Sequence, residues 1–158
     1  DTPLTLQWVS SQAAAWGADM LTIDPFGSLD LAVDRQQNDS RAIRNLLHGF
    51  LQPFLKEHKM HCILAVHTTK LSLDGNGDIR MPNPYDATDS AGFYNAADGL
   101  ISLRRPASRG GTVTEGEVQK VRDRFSGKHG KFDLAFDFRT SRYTGLRPPV
   151  LQEEEVPF

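Results

Sequence analysis

Cysteine is almost absent from these 158 residues: Cys62 stands alone. One thiol can neither close an internal disulfide nor complete a four-cysteine zinc site, and it points to a reducing compartment. Long apolar runs are also missing, and none approaches the roughly 18 residues of a membrane span. No stretch has the form of a signal peptide. There is no surplus of positive charge either. Eighteen Lys and Arg face 20 Asp and Glu, a formal net charge of −2. That excludes a nucleic-acid binder working through bulk charge, but not a local basic surface. What is present, 39% hydrophobic and 24% charged residues, suits one soluble domain with a real core. The first residue is Asp1 rather than Met, as expected of a processed or truncated piece.

Periodicity orders the chain. LQWVSSQAAAW (6–16) reads as a short helix that Gly17 stops. DMLTI (19–23) and HCILAV (61–66) are apolar runs of the kind buried on both faces of a sheet. Residues 25–39 are loop-like, with a helical turn near Leu29–Val33. From Asp39 or Ser40 onward, Ile43, Leu46, Leu47, Phe50, Leu51, Phe54 and Leu55 form one stripe at helical spacing. Pro53 lies inside the stripe, and its missing N–H predicts a kink. Residues 71–89 form a long excursion with a hairpin at Asn76-Gly77. SAGFYNAAD (90–98) is a short helix, GLISLRR (99–105) a third strand and ASRGGT (107–112) a turn. EGEVQKVRD (115–123) and KFDLAFDF (131–138) alternate as antiparallel strands. LRPPVLQEEEVPF is proline-rich, then acidic, and is expected to be extended or disordered. Helix, strand, helix, strand in the first half is the pattern of a parallel sheet with helices packed on it.

In such sheets ligands gather at the C-terminal strand ends. Asp24 and His67 fall at two of them. Asp24 is either a carboxylate placed to hold Mg²⁺ or an ordinary strand-ending residue. His67 either contacts a phosphate or is a surface or capping histidine. Lys120, Arg122 and Arg124, at spacing two, share a strand face. They are either a solvated face or cations that stabilise a transferring phosphate. DGNGD (74–78) imitates a calcium loop, but positions six and twelve would be Ile79 and Tyr85. His58, His61 and His67 with Cys62 do not form a zinc set, because adjacent His61 and Cys62 point to opposite sides of a strand. No serine sits in a G-x-S-x-G setting.

Taken in order, LTIDPFGSL, ILAVHTTK, PNPYDATDSAGFYNAADGLISLRR, VQKVRDRFSGKHG and FDFRTSRYTG resemble the C-terminal part of the ring-shaped RecA-like replicative DNA helicases. The likeness runs over residues 15–145 and is closest to the Twinkle and phage primase–helicase branch of the DnaB group. PYDATDSAGFYNAAD is its most specific block. The resemblance implies an α/β fold: a RecA-like sheet with parallel N-terminal strands flanked by helices, and antiparallel strands toward the C-terminus. It implies ATP and Mg²⁺ as cofactors, with Asp24 as the Walker B aspartate that binds Mg²⁺ through water. His67 takes the place of the γ-phosphate sensor. Lys120 and Arg122 fit the Lys-x-Arg pair that reaches a neighbouring subunit's nucleotide, with Arg124 as the alternative finger. Lys70 and Arg80 lie in the loops matching the central-channel DNA-binding loops. The implied partners are ssDNA, further copies in a homo-oligomeric ring, expected to be a hexamer, and a DNA polymerase or primase through the acidic tail. The implied location is the cytoplasm of a bacterial or phage-infected cell, or a mitochondrion.

One departure stands out: no G-x-x-x-x-G-K-[ST] loop occurs anywhere. The resemblance puts that loop, and the glutamate that activates water, upstream of the Walker B strand. Residues 1–145 are therefore expected to be the second half of a RecA-like ATPase domain, with 146–158 an extended acidic tail. Two other readings stand beside the helicase: a RepA-type or recombinase-like RecA-fold ATPase, and a non-enzymatic oligomerisation or ssDNA-binding fragment.

Overall fold

The computed structural model describes residues 4–30, 39–87, 90–123, 125 and 127–146. The expected elements from 31–38, the Thr88-Asp89 step, Arg124 and the tail from 147 onward lie outside the described residues.

The Thr5 hydroxyl accepts a hydrogen bond from the Trp8 N–H and opens helix α1 (Leu6–Ala15). Gly17, at φ +72°, ends it as expected, and its amide donates to the Ala14 carbonyl. Strand β1 (Met20–Ile23) follows. Helix α2 (Asp39–Arg44), a π-helical turn (Asn45–Leu51) and helix α3 (Gln52–His58) then run on without a break. The π turn answers Pro53, where a kink was expected. The Gln52 N–H donates to the Leu47 carbonyl five residues back. The turn before the proline is thereby widened, where its ring would otherwise press on the carbonyl four residues earlier. Lys59, at φ 54°, turns the chain, and the His61 N–H donates to the Asp19 carbonyl at 2.8 Å. Strand β2 (His61–Leu64) thus lies parallel to β1, in register from Met20 opposite His61 to Ile23 opposite Leu64.

The helical stripe behaves as its period predicts. Ile43, Leu47 and Leu51 are buried, and Leu46, Phe50 and Leu55 flank them. Leu6, Ile23, Phe26, Leu29, Phe93 and Ala96 complete this core. Helix α4 (Ser90–Ala96) reaches it through Gly92, where an added Cβ would stand 3.2 Å from Ile43 Cγ2. The Phe93 and Phe26 rings meet edge to face at 5.2 Å, and Gln52 Nε2 donates to the Ala96 carbonyl at 2.7 Å.

The two strands are not buried on both faces. Leu21, Ile23, Cys62 and Leu64 turn to the core, whereas Met20 and Ile63, on the other face, are 55% and 52% exposed. Apolar composition reports what a strand can bury, and among the described residues only one face is covered.

A second compact unit comprises Lys70–Pro84 and Ala97–Phe158, apart from Asp1–Thr69 with Tyr85–Ala96. Its sheet is antiparallel in the order β3 (Gly99–Arg104), β4 (Val113–Val121), β5 (Gly130–Asp137), β6 (Arg142–Gly145). The expected fold class therefore holds, with parallel strands first and antiparallel strands later. Alternation divides the second sheet sharply. One face carries Ser102, Arg104, Glu115, Glu117, Lys131 and Asp133; the other carries Ile101, Leu103, Val118, Phe132 and Leu134. On the apolar face Gly116 is required, because the Phe132 ring lies where a Cβ would be, 2.2 Å away.

Burial pushes the Cys62 thiol up to about 11. The thiolate is the reactive form, so iodoacetamide at pH 8 should alkylate the native chain on the order of 100-fold more slowly than the urea-unfolded chain. Mass-spectrometric alkylation time courses measure this, and equal rates would contradict it.

Candidate functional site

Parallel pairing sends both strand ends out on one side. The Ala65 N–H donates to the Ile23 carbonyl at 2.9 Å, and the Phe26 N–H donates to the Ala65 carbonyl at 2.8 Å. These bonds stitch together the segments that leave the two strands. Asp24, one residue beyond β1, and His67, three beyond β2, are both exposed at this end. The segment after His67 is braced in turn. Thr68 bridges to Ala87, and the Thr69 N–H and Oγ1 both donate to the Asp86 carbonyl, at 2.8 and 3.1 Å. The PYDA residues therefore fold back onto HTTK, and Tyr85 packs on Tyr94 with ring centroids 5.3 Å apart.

Lys70 and Arg80 belong to the segment Lys70–Pro84 of the second unit, which holds most of the excursion. Lys70 is exposed; Arg80 is half-buried, and its Nη1 donates to the Met81 carbonyl at 3.2 Å. The Asn76-Gly77 hairpin forms. Leu73 bridges Ile79, the Gly77 N–H donates to the Asp74 carbonyl, and Gly77 takes φ +79°. The two aspartates of DGNGD hold the excursion by protein donors. Asp74 accepts from the Asn76 and Asp78 amides and from Arg104 Nη1 at 2.8 Å. Asp78, 5% exposed, accepts from both the amide and the hydroxyl of Ser108. Arg104 also donates to Glu115 at 2.7 Å, and Arg109 donates to Glu115 and Asp133 at 3.0 and 2.8 Å. The Arg104 guanidinium holds the Asp74 carboxyl below the usual carboxylate range, and the Ser108 hydroxyl does the same for Asp78.

Lys120 lies in β4 opposite Leu100, and Arg122 follows the strand's last residue. The Arg122 N–H donates to the Asp98 carbonyl at 2.8 Å, one rung past the ladder, and its Nη1 meets Asp98 Oδ1 at 2.8 Å. Burial lowers the Lys120 ammonium pKa, and the Arg122 charge adds to that. Arg124 lies outside the described residues. The structure brings Asp24 and His67 to one end of the first sheet, and Lys120 and Arg122 to one end of the second.

Two features escape a sequence reading. Asp98 stands 24 residues from its partner and ends a run that reads as helix. Strand β6 is also unforeseen; the Asp137 carboxylate builds the turn before it by accepting from the Arg139 amide and the Thr140 hydroxyl, both at 2.8 Å. There Arg105 lies 5.3 Å from the Phe136 centroid and donates to the Tyr143 hydroxyl at 2.6 Å. The alternation in FDFRTSRYTG was the available signal. Among the described residues, no three His, Cys, Asp or Glu side chains converge as a metal cage.

No family model matches this chain, and no curated protein matches it. Among solved structures it is similar to a DnaB-like replicative helicase described with its interactions with primase. The TM-score is 0.71 at 17% identity, covering 90% of this chain and 36% of that one. The chain thus spans little more than a third of the protein it matches, and at this identity the likeness is one of fold. It supports the RecA-like α/β class.

The aspartate anchors generate a pH prediction. Both carboxyls titrate below the usual range, so their contribution is fully present above the ordinary carboxylate range and is lost progressively as pH falls from that range through the lowered values. Amide exchange at 72–80, corrected for intrinsic rates, should be as slow near pH 6 as at pH 7 and should speed up only below about pH 5. Asp78→Asn, which removes a charged acceptor, should speed it at pH 7 about tenfold or more. Unchanged exchange in that variant would refute the anchoring role.

Proposed function

We propose that this chain is part of an ATP-dependent replicative DNA helicase that moves on ssDNA as a homo-oligomeric ring, in the Twinkle and phage primase–helicase branch of the DnaB group. The observation that carries the reading is the parallel pairing that sets Asp24 and His67 at one end of neighbouring strands, in a chain whose fold resembles a DnaB-like helicase.

The residues fit Mg²⁺ with ATP. Mg²⁺ commonly keeps its waters and takes one or two carboxylates plus substrate phosphates, not an all-protein cage. Asp24, exposed at a rigid strand end, is that kind of ligand. Bound Mg²⁺ would neutralise charge on the phosphates. His67 hydrogen-bonds the terminal phosphate and, through the Thr69–Asp86 bonds behind it, ties phosphate loss to the PYDA segment. Lys120 and Arg122 offer cations to the nucleotide of an adjacent copy. Lys70 contacts the ssDNA backbone. A few cations per subunit suffice when a ring repeats them, which reconciles DNA binding with a net charge of −2.

In the intact protein, Asp24→Asn should abolish Mg²⁺-dependent hydrolysis. Arg122→Ala should lower kcat on the order of 10³-fold, and only in the assembled state. Steady-state ATPase assays with and without ssDNA measure both, and native rates in either variant would remove that residue's assignment. The 158-residue chain by itself, without a phosphate loop in its sequence, should neither bind ATP tightly nor hydrolyse it. Calorimetric titration with ATP and Mg²⁺ tests this, and sub-micromolar binding would overturn it.

A further inference from the structure

Asp98 is the residue just before β3, and Arg122 is the residue just after β4. The last ladder pair is Gly99 opposite Val121. The Arg122 N–H then donates to the Asp98 carbonyl at 2.8 Å, so the two residues are fixed neighbours through their backbones. Their side chains close the same ring, with Nη1 and Oδ1 2.8 Å apart. A guanidinium carries its five N–H donors in a rigid fork, so holding one arm sets the direction of them all.

Charge gives this contact a second purpose. Lys120 and Arg122 are like charges two residues apart. The Arg122 charge pushes the Lys120 ammonium toward losing its proton, and Asp98 acts against that push. Asp98 is thus a counter-charge to the Lys-x-Arg pair at one end of the sheet. It is 79% exposed and Arg122 49%, so both side chains are accessible from solvent. A carboxylate so placed pairs with the guanidinium in water and is weak enough to yield to a more highly charged phosphate.

We propose that Asp98 is a positioning residue: it holds the Arg122 guanidinium aimed and hydrogen-bonded for delivery to the nucleotide of a neighbouring copy. The inference rests on the finger role of Arg122 proposed above. A positioning role is exerted through Arg122 and so vanishes when Arg122 is gone, whereas a general structural role does not.

The test is a double-mutant cycle in the intact, ssDNA-assembled protein. Asp98→Asn should lower kcat about threefold to fivefold with the KM for ATP unchanged, and Asp98→Glu should recover most of the loss. In an Arg122→Ala background, Asp98→Asn should cost nothing further. Native kcat in Asp98→Asn, with Arg122→Ala inactive, overturns the positioning role and leaves the finger assignment standing. Additive losses, or loss of assembly in both Asp98 variants, also overturn it. Native kcat in Arg122→Ala removes the finger itself, and the inference with it.

Discussion

A parallel strand pair cannot be closed by a turn. The chain must travel back along the sheet before it can enter the second strand, and a helix is the economical way to do so. Here the journey ends in α2, the π turn and α3, whose inner line of Ile43, Leu47 and Leu51 supplies much of the first core. The geometry at the far end follows from that constraint. Because β1 and β2 run the same way, whatever follows them emerges together. Asp24 and His67 leave the sheet at the same end before any side chain is considered. Phe26 then secures the exit: its amide reaches the Ala65 carbonyl and its ring meets Phe93.

The second sheet inverts the common arrangement of an antiparallel sheet, in which the apolar face is covered and the polar face is wet. Its charged face is the one that residues 70–84 cover. Covering charge is costly unless every charge is paired and hydrogen-bonded. Arg104 meets that demand by bonding to Asp74, Glu115 and the Ile79 carbonyl, and Arg109 spans Glu115 and Asp133. Gln119 Nε2 adds a bond to the Pro82 carbonyl at 2.7 Å. The excursion is irregular in sequence but pinned at several points, which gives its Asn76-Gly77 tip a fixed base.

Much of this was legible in the sequence, for identifiable reasons. Period 3.6 marked the α2–α3 stripe, and period 2 marked β4 and β5. Gly17 and Asn76-Gly77 marked a helix end and a hairpin through conformations that other residues resist. The π turn was not legible, because proline announces a lost hydrogen bond without saying how the helix will absorb it. The half-open faces of β1 and β2 were not legible either, since Val, Ile and Leu look alike whether or not a neighbour covers them. Strand β6 hid behind turn residues and is only four residues long. Of the candidate residues, Asp24 directly follows β1, as its place in the sequence implied, whereas β2 ends at Leu64 and leaves His67 three residues beyond the strand rather than directly after it. The surroundings of Arg122 depended on antiparallel register, which no local pattern encodes.

The ion pairs of the second unit divide by exposure. Arg104, Asp74 and Glu115 are each 20–22% exposed, whereas Arg122 and Asp98 are 49% and 79% exposed. Breaking a shielded pair by removing one partner strands the other charge away from water, so such pairs persist. An exposed pair is worth only about 0–1 kcal/mol and exchanges readily with water or a stronger anion. The fold therefore places its fixed ion pairs under the excursion and an exchangeable one at the sheet end that carries Lys120 and Arg122. A cation that must leave its carboxylate for a phosphate and return to it needs a weak, exposed and geometrically fixed partner. The backbone bond between Arg122 and Asp98 supplies the fixity, and solvent exposure supplies the weakness.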